Sequence, residues 1–248
     1  MPHTLIAALR FIAIVGLCLA AGMAMGVSLA RAVAAQDGPL PTQALSDPAA
    51  DALASPETLV FEWLDGIDSL KADFVQRGPT GAIARGTMYL ERPGKARFEY
   101  EPSVPVLIVA DGDVLHFIDY EVGQVTPLPV KETPLALLLE PTDDLRQRID
   151  IIDAGPGPVA GTIAMAVRDP KHPEYGVLTL FFQRQAKDES EDDAVRGKLS
   201  LQGWQILDGQ GQVTEISLTD QAVNIALADK LFSFKDPRRD QVRRPRAG

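Results

Sequence analysis

Between residues 70 and 225 the sequence is written in short alternating runs, and that alternation fixes the class of fold. In ARFEY (96–100), Ala96, Phe98 and Tyr100 fall on one side, Arg97 and Glu99 on the other. A period of two belongs to a strand with one dry face and one wet face. LKADFVQR (70–77), GTMYLE (86–91), RIDIID (148–153), TIAMAVR (162–168), GVLTLFFQR (176–184), KLSLQGWQIL (198–207) and QVTEISLTDQAVNI (212–225) continue the series. Asp111-Gly112 divides VLIVADGDVLHFID (106–119) into the two arms of a hairpin. Asp208-Gly209-Gln210-Gly211 marks another turn.

Two segments break this rhythm. In SPETLVFEWLDGI, Ser55 is placed to cap a helix, Pro56 suits its first position and Glu57 its first turn. Leu59, Val60, Trp63, Leu64 and Ile67 then recur at helical spacing and form one apolar stripe. TPLALLLE (133–140) offers Thr133 as cap and Pro134 at the first position of a short helix that is apolar nearly all round. The expected class is therefore mainly β with short α-helices. No second sheet is available to cover the apolar face, so the sheet is expected to curl and the helices to fill its hollow.

The ends read differently. Arg10, the apolar run FIAIVGLCLAAGMAMGVSLA (11–30) and the small residues of RAVAA before Gln36 have the form of an export signal over 1–35. Cleavage fits after Ala35 or Ala34, and a retained anchor is the alternative, because the run is long enough to span a bilayer. Leu17 stands where a small residue would precede a lipid-modified cysteine, so Cys18 does not read as a lipidation site. Residues 36–54 are Pro-, Ala- and Asp-rich and read as a linker, followed by a domain over 55–242 and a basic tail over 243–248. Cys18 is the single cysteine, so the exported chain has no disulfide, thiolate nucleophile or cysteine metal site.

The net charge of −10 becomes more negative still once Arg10 and Arg31 leave with the signal, which disfavours nucleic acid as a partner. KDESEDD (187–193) and RRDQVRRPR (238–246) concentrate charge of opposite sign. Each reads as solvated chain; the basic stretch also suits an anionic lipid surface or acidic partner. Enzyme signatures are missing: no G-x-S-x-G, H-E-x-x-H, P-loop or G-x-G-x-x-G occurs. The exported part has two histidines, His116 in a strand pattern and His172 in DPKHPEYG. The paired acids Asp143-Asp144 and Asp192-Asp193 are expected in polar loops. No catalytic residue, metal site or cofactor is expected.

Between two strand runs stands ERPGK (91–95). From the residues alone, Arg92 is either a solvated turn residue paired with Glu91 or Glu99, or a fixed polar hook.

Taken in order, SLKADFVQ, GTMYLERPGKARFEY, LIVADGDVLHFID and QVTPLPVKETPLALLL resemble the outer-membrane lipoprotein carrier family, LolA. LQGWQILDGQGQVTEISL and LFSFKDPRRDQV are similar to its closing strands and F-x-F-x-x-P ending. The resemblance runs from about residue 57 to residue 242. It implies an unclosed antiparallel β-barrel with a helical lid over a hydrophobic cavity. It implies a periplasmic chaperone, acting as a monomer, that carries acylated lipoproteins from an inner-membrane ATP-driven releasing complex to an outer-membrane acceptor. A membrane-tethered periplasmic module that senses lipid or lipoprotein on the same half-barrel is the alternative; a hydrolase using His116 is a third reading.

The same resemblance makes Arg92 the lid lock, bonded to main-chain carbonyls near Leu138 and Leu139. The expected apolar lining is Leu90, Phe98, Tyr100, Leu107, Val109, Leu115 and Phe117 on strands, met by Trp63, Leu64, Leu135 and Leu138 from the lid. Two features depart from the family pattern. Ala96 stands where a bulky apolar residue is common, which widens the cavity or removes an acyl contact, and the acidic 187–193 and Arg-rich segments read as additions.

Overall fold

The computed structural model describes residues 54–184 and 199–238. The expected signal, all but the last residue of the linker, the acidic 187–193 segment and the 243–248 tail lie outside the described residues.

Helix α1 (Pro56–Gly66) opens the domain, and the Ser55 side chain accepts from the Thr58 N–H at 3.1 Å as its cap. Six strands follow: β1 (Ser69–Arg77), β2 (Ile83–Glu91), β3 (Lys95–Tyr100), β4 (Val106–Asp111), β5 (Val114–Asp119) and β6 (Gln124–Pro129). Helices α2 (Ala136–Leu139) and α3 (Thr142–Arg148) separate them from β7 (Asp150–Pro156), β8 (Thr162–Arg168), β9 (Val177–Arg184), β10 (Leu199–Leu207) and β11 (Val213–Val223). A 3-10 turn, Asp229–Phe232, comes near the end. The strands form one antiparallel sheet in the order β6-β5-β4-β3-β2-β1-β11-β10-β9-β8-β7. β6 and β7 are its two edges and do not pair, so the sheet is unclosed.

The sheet is nevertheless rolled. Phe98 on β3 and Trp204 on β10 are four strand positions apart, which on a flat sheet is about 19 Å. Their ring centroids are 6.3 Å apart and packed edge to face. Only a sheet curled around its inner face brings those side chains together. That face supplies Leu70, Phe74, Met88, Phe98, Leu115, Leu180, Phe182 and Trp204 to one continuous buried core that α1 and α2 share.

β10 reaches this core by changing parity. Leu199 and Leu201 point inward, and so do Trp204 and Ile206. The pairing with β9 shifts between Leu201 and Gly203, where an extra residue reverses which positions face in. Gly203 takes φ +147, and a Cβ there would overlap the Ile216 carbonyl oxygen.

Two expectations are corrected and one strand is added. β6 is a strand within QVTPLPVKE, which its two prolines had hidden, and they lie on an edge where prolines are tolerated. Thr133 does not cap α2: its hydroxyl donates to the Val130 carbonyl at 2.8 Å, closing the 3-10 turn Val130–Glu132. Asp143 and Asp144 occupy the first turn of α3 rather than a loop.

Gly203→Ala is expected to cost about 2 kcal/mol or more, seen by calorimetry as a fall in Tm of roughly 4–8 °C. An unchanged Tm would mean that β10 is not bulged there.

Candidate functional site

The helices cover the inner face. α1 buries Leu59, Val60, Phe61, Trp63 and Leu64 and lies against β7, β8 and β10. Trp63 packs edge-on against Phe182 of β9, with ring centroids 5.1 Å apart. All four residues of α2 are buried. α3 joins α1 through the Arg146 guanidinium, 3.7 Å above the Phe61 ring, and through a hydrogen bond from the Thr142 hydroxyl to Asp65.

The ends of these helices meet at Arg92, in the turn between β2 and β3. Its Nη1 donates to the Leu64 carbonyl of α1, and its Nη2 donates to the Glu140 carbonyl that follows α2. Both carbonyls lie at helix C-termini, where the last C=O groups have no partner within the helix. One planar fork with several donors suits two acceptors from different elements. Burial lowers the guanidinium's pKa from its usual value, and Asp65 and Asp68 partly offset this. The group stays charged, since arginine titrates far above neutral pH.

The turn is built to put Arg92 there. The Arg92 N–H donates to the Asp68 carbonyl at 2.8 Å, and the Gly94 N–H donates to Leu139 at 3.0 Å. Gly94 takes φ +79 against the backbone of Gly112, where a Cβ would overlap the carbonyl oxygen. Of the solvent partners considered for Arg92, Glu91 pairs with Lys95 at 3.2 Å and Glu99 with Arg97 at 3.0 Å. The carbonyls that Arg92 grips are those of Glu140, directly after the expected Leu138 and Leu139, and of Leu64 on α1.

The structure sorts the expected lining residues onto two faces. Trp63, Leu64, Leu90, Phe98, Tyr100, Leu115, Phe117 and Leu138 belong to the inner core, with Leu135 packed against it. Leu107 and Val109 do not join them. With Ile118 they form a separate outer cluster covered by Val125 and Phe234. β4 is buried on both faces, so alternation could not say which of its residues point inward. Tyr100 also donates to Gln76 at 2.7 Å, a buried polar pair within the inner core, and burial raises the Tyr100 pKa. Ala96 is buried opposite Ala110 and Leu90, so two small residues lie side by side on the inner face.

Sequence reasoning missed α3 and the role of Glu140. The signal for α3 was present: Pro141 precedes TDDLRQR, with acids in its first turn and arginines in its last. His116 lies on the outer face, 3.2 Å from Asp111 and against the Phe234 ring, while His172 stacks on Tyr175. Among the described residues, no group of three or more acidic, His or Cys side chains is placed to hold a metal ion.

Comparison with known proteins gives this geometry a context. Residues 65–235 match the family described as outer membrane lipoprotein carrier protein LolA. An outer-membrane lipoprotein carrier protein of Chromohalobacter salexigens is 31% identical over 183 residues, covering 70% of this chain and 80% of that protein. One from Methylococcus capsulatus is 31% identical over 198 residues, covering 76% and 88%. A solved LolA superfamily protein from Nitrosomonas europaea aligns with a TM-score of 0.42 and 14% identity, covering 73% of this chain and 99% of that one.

Replacing Arg92 by Leu leaves two helix-end carbonyls without a donor. Urea titration is expected to show a loss of about 2–4 kcal/mol, and Arg92→Lys, with a compact ammonium in place of the fork, to recover about half of it. Equal stability of Arg92→Leu and wild type would remove the clamp.

Proposed function

The chain belongs to the LolA family of outer membrane lipoprotein carriers, and from that membership we propose that it shuttles acylated lipoproteins through the periplasm. Residues 1–35 export it, residues 55–242 form the carrier domain, and the chain works as a monomer. It takes cargo from an ATP-driven complex in the inner membrane and delivers it to an acceptor at the outer membrane.

The observation that carries this reading is that one arginine fork joins the ends of α1 and α2 over an apolar face that, among the described residues, no second sheet covers. An acyl chain in water costs about 0.8 kcal/mol per methylene. A lipoprotein crossing an aqueous compartment therefore needs a dry surface around its chains. The inner face has that character, and in the empty protein Trp63, Leu64, Leu137 and Leu138 occupy it themselves. The helices act as a stand-in for cargo. When they lift, acyl chains replace their side chains against Leu90, Phe98, Leu115 and Phe117, and apolar burial is exchanged at small net cost.

Arg92 sets the direction of the exchange. Its hydrogen bonds favour the closed, empty state by about 0.5–3 kcal/mol each. Cargo has to exceed that bias to open the lid, and the same bias expels cargo when an acceptor competes for it.

The test is release from spheroplasts. Purified protein is expected to bring newly made lipidated proteins into the soluble fraction as a complex. Arg92→Leu is expected to load equally or better and to retain its cargo when outer membranes are added. If no acylated protein is solubilised while a known carrier succeeds in the same assay, the shuttle reading fails. Protein found only in the membrane fraction, with its N-terminal run uncleaved, would support a tethered sensor instead.

A further inference from the structure

We propose that Arg148 is a second clamp on the lid, a positioning residue that fastens α2 to the β8–β9 end of the sheet and holds Glu140 for Arg92. This rests on the reading of α1, α2 and α3 as a lid. Arg148 is the last residue of α3, and its Nη1 lies 2.7 Å from Glu140 Oε2. The same Nη1 donates to the Lys131 carbonyl at 3.4 Å, in the 3-10 turn that precedes α2. One guanidinium therefore holds both flanks of α2. Its Nε lies 3.4 Å from Asp169 Oδ2, just beyond the end of β8. The other carboxylate oxygen of Asp169 accepts from the Lys171 N–H at 2.9 Å, so this anchor is fixed by its own turn.

Burial separates this group from the other ion pairs. Glu140, Asp169 and Arg148 side chains are 8%, 10% and 19% exposed, against 56% and 49% for the neighbouring Arg168–Asp150 pair. Exposed pairs contribute little, whereas removing one partner of a buried pair leaves an uncompensated charge. The network is also incompletely satisfied: Glu140 Oε1 is buried without a hydrogen-bond partner, and so is Arg148 Nε. Such a cluster adds little net stability but penalises any arrangement in which one member is displaced. That suits a cover that must close in one geometry and still open.

Glu140 joins the two clamps. Its main-chain oxygen accepts from Arg92, and its side chain is held by Arg148. Arg92 ties this residue to the N-terminal half of the sheet, and Arg148 with Asp169 ties it to the C-terminal half. The lid is bolted across the opening of the sheet at one residue.

Hydrogen exchange on the empty full-length protein tests this without any cargo. Arg148→Gln is expected to speed exchange across 56–66 and 130–148 by about tenfold or more, with β1 and β11 unchanged. Asp169→Asn is expected to act in the same direction from outside the helices, and it serves if Arg148→Gln does not fold. Arg148→Lys, which keeps the charge, is expected to restore part of the protection. No change in either segment, or an equal rise in β1 and β11, overturns the proposal, since the cluster would then be an ordinary structural ion pair. Arg92→Leu run alongside separates the two clamps. If it opens the lid and neither Arg148→Gln nor Asp169→Asn does, the second clamp falls and the first stands; the converse supports the second clamp alone.

Discussion

The apolar inner face of a sheet has to be covered, and in this molecule the cover is three short helices. β6 and β7 leave the sheet open, so closure of the barrel does not provide the cover. α1 has eleven residues, α2 four and α3 seven. Helices of that length are not stable alone in water. They persist because their apolar side chains sit on the sheet and their free ends are held by side chains from elsewhere. Segments with that dependence are the ones expected to open first, since their stability is local and borrowed.

The two faces of the sheet are fastened by similar means to different ends. Outside, Arg97 donates to the carbonyls of Leu231 and Ser233 at 3.1 and 3.2 Å. Phe232 is buried with the Lys95 ammonium 5.4 Å over its ring, and Phe234 caps Leu107, Val109 and Ile118. This closing segment packs directly on β3 and β4. Inside, Arg92 makes the same kind of arginine-to-carbonyl contact, but with the ends of the covering helices. Arg92 and Arg97 stand on opposite sides of the strand pair that the opening alternation defined, which places one clamp on each face.

Much of this was legible in the sequence. Alternation located ten of the strands because most have one wet face, and Ser55-Pro56-Glu57 located α1 because its cap and apolar stripe agree. The strand it missed, β6, carries Pro127 and Pro129, which lower any strand reading although an edge admits them. Leu107 and Val109 were misplaced because β4 has no wet face, the outer one being covered by Val125 and by Phe234, which lies more than a hundred positions later. The bulge at Gly203 changes parity within one strand, which alternation alone does not report. Arg92 was found through its motif, but its acceptors are backbone atoms, and a sequence does not say which carbonyls a fold leaves without donors.

The central claim is that cargo takes the place now held by the helices. Trp63 is the natural reporter, because it lies on α1 against Phe182. The chain has two tryptophans, so Trp204→Phe leaves Trp63 as the single fluorophore. A triacylated lipopeptide titrated into that variant should shift Trp63 emission and raise its quenching by acrylamide, in one saturable step. Binding with Trp63 emission and quenching unchanged would mean that acyl chains do not displace α1, and the lid account would be wrong.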